Sequence, residues 1–158
     1  MLVIKRILKR KVLILALLAI IFSANAQNAA YISNHKTVAN LLSEHYGIPA
    51  SVILAVAYVE SAAGKCATAK VLNNHFGIEG RNSYVNSKGH KSRYKQYNTE
   101  IASYVDFCKM ISRKKFYNRL KDNDDPKVWI KAMSHAGYSE QPQVWEQKIL
   151  STIRSNRL

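Results

Sequence analysis

The chain has 158 residues and carries 24 Lys and Arg against 10 Asp and Glu, a formal charge of +14. That length leaves room for one domain with a real core, not two, and an excess of cations this large favours polyanionic partners. No Cys/His cluster has zinc spacing, and His75, His90 and His135 are scattered, so neither a metal site nor a cofactor is expected.

The first segment reads as an export signal. Lys5, Arg6, Lys9, Arg10 and Lys11 precede an uncharged run from Val12 to Phe22, and Ala24-Asn25-Ala26 is a small-x-small cleavage site before Gln27. The run is shorter than the roughly 20 residues a transmembrane helix needs. An uncleaved anchor is the alternative. The expected division is therefore a signal peptide over 1–26 and a single domain over 27–158, with no integral membrane segment after cleavage. Five basic residues leave with the signal, taking the formal charge from +14 to +9. Export to the periplasm or cell exterior makes nucleic acid the weakest of the polyanionic partners and leaves cell-wall polymers or anionic lipid headgroups. A monomer is expected.

Helices dominate the rest. Ser33 or Asn34 can cap one that carries Val38, Leu41, Leu42 and Tyr46 and stops at Gly47. A second runs from about Ala50 to Ser61, and a short third from Cys66 to Leu72. Between Gly77 and Asn98 the pattern breaks: Gly77, Gly80 and Gly89 punctuate it, and Asn86-Ser87-Lys88-Gly89 can form a turn. A small two-stranded β-hairpin or an irregular lobe is expected there. Its basic residues Arg81, Lys88, Lys91, Arg93 and Lys95 alternate with Tyr84, Tyr94 and Tyr97, as in a lid over an anionic glycan or in a solvated hairpin. Asn98 or Thr99 caps the next helix, with Ile101, Tyr104, Val105, Cys108 and Ile111 inward. Asp125-Pro126 starts another that ends at Gly137, and Pro142 opens the last, with Trp145, Ile149 and Ile153 inward. Cys66 and Cys108 could close a loop of about 42 residues, worth roughly 3–4 kcal/mol if bridged, or Cys108 could be a buried free thiol.

One carboxylate stands out. Eleven residues from Pro49 to Val59 pass without a charge before Glu60-Ser61. A carboxyl group at the end of such a helix loses hydration and sits near the negative end of the helix dipole, and both effects favour its protonated form. A glycosidase needs such an acid to protonate a leaving oxygen.

The residues on either side of Glu60 resemble a known family. Ala55-Val-Ala-Tyr-Val-Glu60-Ser61-Ala-Ala-Gly64, then Asn73-Asn74-His75-Phe76-Gly77-Ile78, is similar to the signature of glycoside hydrolase family 73, the peptidoglycan N-acetylglucosaminidases. Tyr94-x-x-Tyr97 and Ala136-Gly137-Tyr138-Ser139 before Pro142 continue the resemblance over nearly all of 33–153. It implies a mainly α, lysozyme-like α+β fold: a helical domain with the small β lobe after its central helix. It also implies hydrolysis after N-acetylglucosamine in peptidoglycan glycan strands. Glu60 then stands as general acid, Tyr138 as a helper that orients water or the N-acetyl group, and Asn74, Phe76, Tyr94 and Tyr97 along the substrate cleft. Ser61 is expected to satisfy backbone at the helix end.

The second carboxylate departs from the family pattern, because Arg81 to Gln96 contains no Asp or Glu. Glu79, beside the Phe-Gly-Ile turn, is the first choice. Glu100 reads as a dipole-favoured first-turn residue and Asp106 as a structural ion-pair partner. A substrate-assisted route needs no second acid. An inactive glycan-binding protein, or a lytic transglycosylase or muramidase sharing the Glu-Ser helix, are the alternatives.

Overall fold

The computed structural model describes residues 27–85 and 91–158. The proposed signal segment, the turn at 86–89 and His90 lie outside the described residues. A helix occupies 27–46 (α1), followed by α2 (Ala50–Glu60), α3 (Ala67–Leu72), α4 (Glu100–Ser112), α5 (Tyr117–Leu120), α6 (Pro126–His135) and α7 (Pro142–Asn156). The mainly helical expectation holds, and α5 is an additional turn that no pattern announced.

The centre of the domain is α2. Val52 to Ala57 are all buried, so the helix has no solvent face, as its charge-free sequence requires. It packs against α7, α6 and α4. Around it close Tyr104, Phe107, Cys108 and Ile111 of α4, Trp129, Ile130 and Met133 of α6, and Trp145 and Ile149 of α7. These recur three and four residues apart on their helices, which presents each as one apolar stripe to the core.

The helix starts follow the residue types that cap them. The Thr99 hydroxyl accepts from the Ala102 amide (3.2 Å), and the Asp125 carboxylate accepts from the Lys127 amide (2.9 Å) with Pro126 beside it. Cys66 caps α3, its sulfur accepting from the Ala69 amide. Cys66 and Cys108 are both free thiols. Cys108 is buried in the core, and that burial pushes its pKa up to about 12.

Three expectations are corrected. The first helix is already formed at residue 27, so Ser33 and Asn34 lie inside it rather than capping it. Ile101, assigned to an inner face, is exposed, as is Leu41. The lobe after α3 is not a laddered hairpin: among the described residues its pairing consists of two isolated antiparallel bridges, Glu79 with Tyr94 and Val85 with Lys91. Side chains supplement that backbone pairing. Asn82 Nδ2 donates to the carbonyls of Ser92 (2.6 Å) and Tyr94 (2.7 Å), and the Ser83 amide donates to Gln96.

Candidate active site

Glu60 is the last residue of α2 and the first polar group the helix reaches after its buried stretch. It opens onto a groove of about 810 Å³ bounded by α2, the 76–79 turn, Arg93-Tyr94, the 137–141 loop and α7. The carboxyl is half-buried. Its Oε1 accepts a 2.7 Å hydrogen bond from the Trp145 indole N–H. Burial raises its pKa above the ordinary 4.5, and this outweighs the opposing effects of the Trp145 hydrogen bond and the Lys148 charge. The other oxygen, Oε2, faces the Gly77 backbone: a Cβ on Gly77 would stand 3.9 Å from it.

The turn behind Glu60 is built to hold it. Ser61 is fully buried; its hydroxyl donates to the Ala57 carbonyl (2.6 Å) and accepts from the Gly64 amide (2.8 Å), the backbone role expected of it. Ala62, Ala63 and Gly64 are all left-handed, with φ of 50°, 55° and 74°. Two alanines in that region cost roughly 1–2 kcal/mol each, so the turn persists only because its surroundings fix it.

The neighbouring Asn73–Ile78 segment is fixed by Asn74, which is 1% exposed. Its Nδ2 donates to the Ile78 and Lys95 carbonyls (both 2.8 Å), and its Oδ1 accepts from the amides of Phe76 and Ile78. All four hydrogen-bonding sites of the side-chain amide are thus committed to backbone.

The groove brings together Glu60, Phe76, Glu79, Tyr94 and Tyr138 of the sequence candidates. Tyr138 donates to the Phe76 carbonyl (3.2 Å), and its ring lies 5.1 Å from that of Trp145. Burial, then the nearby Glu60 charge, drive its pKa well above 10, so the phenol keeps its proton. Glu79 stands on the rim, exposed, with its Oε1 3.3 Å from Arg93 Nε.

The three other substrate-binding candidates make contacts with the framework. Phe76 lines the groove but is only 3% exposed; its ring stacks on Phe107 (4.2 Å) and meets Tyr104 edge-on, which anchors it in the core. Asn74 is a backbone clamp. Tyr97 is buried outside the groove lining, its hydroxyl donating to Asp106 (2.8 Å).

Of the weaker acid candidates, neither reaches the groove. Burial works to raise the Asp106 pKa, but hydrogen bonds from Lys95 (2.6 Å) and Tyr97 outweigh it and hold the carboxyl below its usual range. Glu100 lies in the first turn of α4 with its carboxylate against His35 and His75. Burial, with His35 nearby, pushes the His75 pKa down to about 4 despite Glu100.

Two residues at the groove carry roles that sequence reasoning missed. Trp145 reads as core from its helical phase, and nothing local tells that its N–H ends on Glu60, 85 positions away. Glu140 lines the groove two residues after Tyr138 and interacts with Arg93. An acid between an aromatic residue and a proline was the available signal.

A family model described as mannosyl-glycoprotein endo-beta-N-acetylglucosaminidase matches residues 36–158. No curated protein sequence matches the chain. Among solved structures, the chain is similar to the glycoside hydrolase domain of FlgJ from Salmonella typhimurium, at 22% identity over 82% of this chain and 88% of that one, TM-score 0.66. It is similar to the catalytic domain of the autolysin Auto from Listeria monocytogenes, at 23% identity over 83% and 85%, TM-score 0.67. A peptidoglycan hydrolase from Sphingomonas sp. A1 shares 18% identity over 82% and 89%, TM-score 0.66. At these identities the likeness shows a common fold.

The Asn74 geometry separates a framework role from a substrate contact. Asn74→Ala leaves the Lys95 carbonyl and the Phe76 and Ile78 amides without this partner, while the Ile78 carbonyl keeps the Lys95 amide, and should cost about 2–4 kcal/mol of stability in chemical denaturation. A variant of unchanged stability with weakened glycan binding would return Asn74 to the substrate.

Proposed function

The chain belongs to the glucosaminidase family and is a glycoside hydrolase, and from that premise we propose that it is exported and cleaves the bond after N-acetylglucosamine in peptidoglycan, with Glu60 as general acid. The observation that carries the proposal is the state of Glu60: a half-buried carboxyl with raised pKa, hydrogen-bonded through one oxygen, at the wall of a groove of about 810 Å³. Because Oε1 is occupied as an acceptor from Trp145, the transferable proton belongs on Oε2. That oxygen lies beside Gly77, where the lack of a side chain leaves the approach open.

A leaving oxygen seated near Oε2 would take that proton as the glycosidic bond breaks, and Glu60 would be left as a carboxylate. The Trp145 N–H and the Lys148 charge both favour that ionised form, so they act on the product side of the proton transfer. Tyr138, protonated and held by the Phe76 carbonyl, is placed to bound the sugar next to Glu60.

For the second acid, Glu79 remains the first assignment, since it shares the groove with Glu60. Its ion pair with Arg93 keeps it on the rim. Glu140 flanks the same arginine and is the other rim carboxylate. Arg93, Lys114 and Lys148 give the groove cations suited to the carboxylates of peptide stems, and Tyr94 offers a ring for a sugar face.

Export rests on residues 1–26 as a signal peptide. No helix of the described residues is long and apolar enough to cross a membrane. The remainder, 27–158, is the glucosaminidase domain, acting as a monomer in the periplasm or outside the cell.

Two measurements test this. Purified cell wall digested with the protein should yield fragments with reducing-end N-acetylglucosamine, and Glu60→Gln should lose at least about two orders of magnitude in rate with its fold intact by circular dichroism. Anhydro-muramyl ends would make it a lytic transglycosylase, binding without products a pseudo-enzyme, and undiminished turnover in the variant would remove Glu60 from the chemistry. The intact mass of the exported protein should correspond to a chain beginning at Gln27; a mass that retains residues 1–26 would contradict cleavage.

A further inference from the structure

On the side of the Glu60-Ser61 turn away from the groove, three side chains from three separate segments converge: His35 of α1, His75 of the loop between α3 and α4, and Glu100 at the start of α4. Glu100 Oε2 lies 3.3 Å from His35 Nε2 and 3.5 Å from His75 Nε2, and the three donor atoms all lie within 4.8 Å of one another. A cleft of about 360 Å³, lined by Tyr31, Asn34, His35, Asn73, His75 and Glu100 among others, opens onto them. We propose that His35, His75 and Glu100 form a binding site for a zinc-type divalent metal ion that clamps α1 to the rest of the domain.

The hydrogen bonds at the far side of each ring set the donor atoms. His35 Nδ1 lies 2.7 Å from the Tyr31 backbone carbonyl, which can only accept, so this nitrogen carries the proton and Nε2 presents a lone pair. That Nε2 is buried without a hydrogen-bond partner, on a side chain only 9% exposed, and points at a carboxylate oxygen. Tyr31 Oη contacts both His75 Nδ1 (2.7 Å) and Tyr104 Oη (2.9 Å). A metal on His75 Nε2 selects the tautomer with the proton on Nδ1, which Tyr31 Oη can accept while it donates to Tyr104. In that tautomer two imidazole lone pairs and one carboxylate oxygen face each other, a donor set for a cation.

A transition metal fits that donor set. In a tetrahedral zinc site with bonds of about 2.0–2.1 Å, neighbouring donors stand roughly 3.3–3.4 Å apart, and both His–Glu separations match. Two histidines and one glutamate are an established zinc donor set, completed by water. His35 donates its other ring nitrogen to a backbone carbonyl, and the other ring nitrogen of His75 lies 2.7 Å from a hydroxyl that can accept from it, the outer-shell arrangement that orients metal-binding imidazoles. The nitrogen donors select against Mg²⁺ and Ca²⁺, which take oxygen ligands. Sequence spacing could not announce the site, because its donors are 40 and 25 positions apart.

The test uses purified protein without a polyhistidine tag, stripped with chelator and titrated with Zn²⁺ alone. One equivalent should bind with a Kd of about 1 μM or tighter, and the unfolding midpoint should rise by about 5–10 °C at a hundredfold excess over Kd. Glu100→Gln, at a half-exposed first-turn position, should fold normally and bind zinc at least about tenfold more weakly. His35→Gln should abolish the one-equivalent site. Absence of zinc uptake, equal uptake of Mg²⁺, or affinity unchanged in both variants would overturn the proposal. Because binding and unfolding are read without any glycan, failure here is distinguishable from failure of the hydrolase assignment.

Discussion

The domain depends on a carboxyl group that water cannot fully reach. Glu60 ends a helix whose buried stretch has no use for solvent, and the price of burying that helix is a dehydrated acid at its end. Trp145 of α7 supplies the one hydrogen bond that fixes the group, so the pairing of α2 with α7 holds the core together and sets the direction of Oε2. The folded state favours the proton more than an unfolded chain does. The contribution of this group to stability is therefore fully present below about 4.5 and lost as pH rises through the folded value. At neutral pH the fold tolerates a destabilising group, which is the expected mark of a residue kept for chemistry.

The turn after Glu60 explains why the carboxyl does not swing away. Two left-handed alanines would relax if left alone, but Ser61 bonds into the helix end and to the Gly64 amide. Tyr31 of α1 lies 3.3 Å from the Ser61 hydroxyl and continues to His75 and Tyr104. The first helix thus supports the acid from behind, while Asn74 stiffens the backbone that passes in front of it. The left-handed φ of Gly77, together with its closeness to Oε2, accounts for a glycine at that point of the groove wall.

Much of this was legible in the sequence because local chemistry decided it. The charge-free run before Glu60 predicts a buried helix, and Thr99 and Asp125-Pro126 cap the helices they precede. Less legible were residues whose partners are distant. Phe76, Asn74 and Tyr97 belong to motif segments beside the acid, yet their side chains close on Phe107, on four backbone groups and on Asp106. Polar and aromatic types near a site are ambiguous between contact with ligand and contact with framework, and only the tertiary arrangement resolves it. Ile101 failed for a different reason: periodicity extended an apolar stripe into the first turn of α4, where the residue is exposed. The hairpin reading rested on glycine punctuation and the Asn86–Gly89 turn, whereas Asn82 and Gln96 side chains carry part of the bonding in the lobe.

Burial, tempered by Trp145, keeps the Glu60 carboxyl protonated above the normal range, and a carbon-detected NMR titration of that side chain reads this state without any substrate. The native protein should show a midpoint above 4.5, and Trp145→Phe a further rise, since the indole N–H favours the ionised form. A native midpoint at or below 4.5 would contradict the assignment of Glu60 as a dehydrated acid.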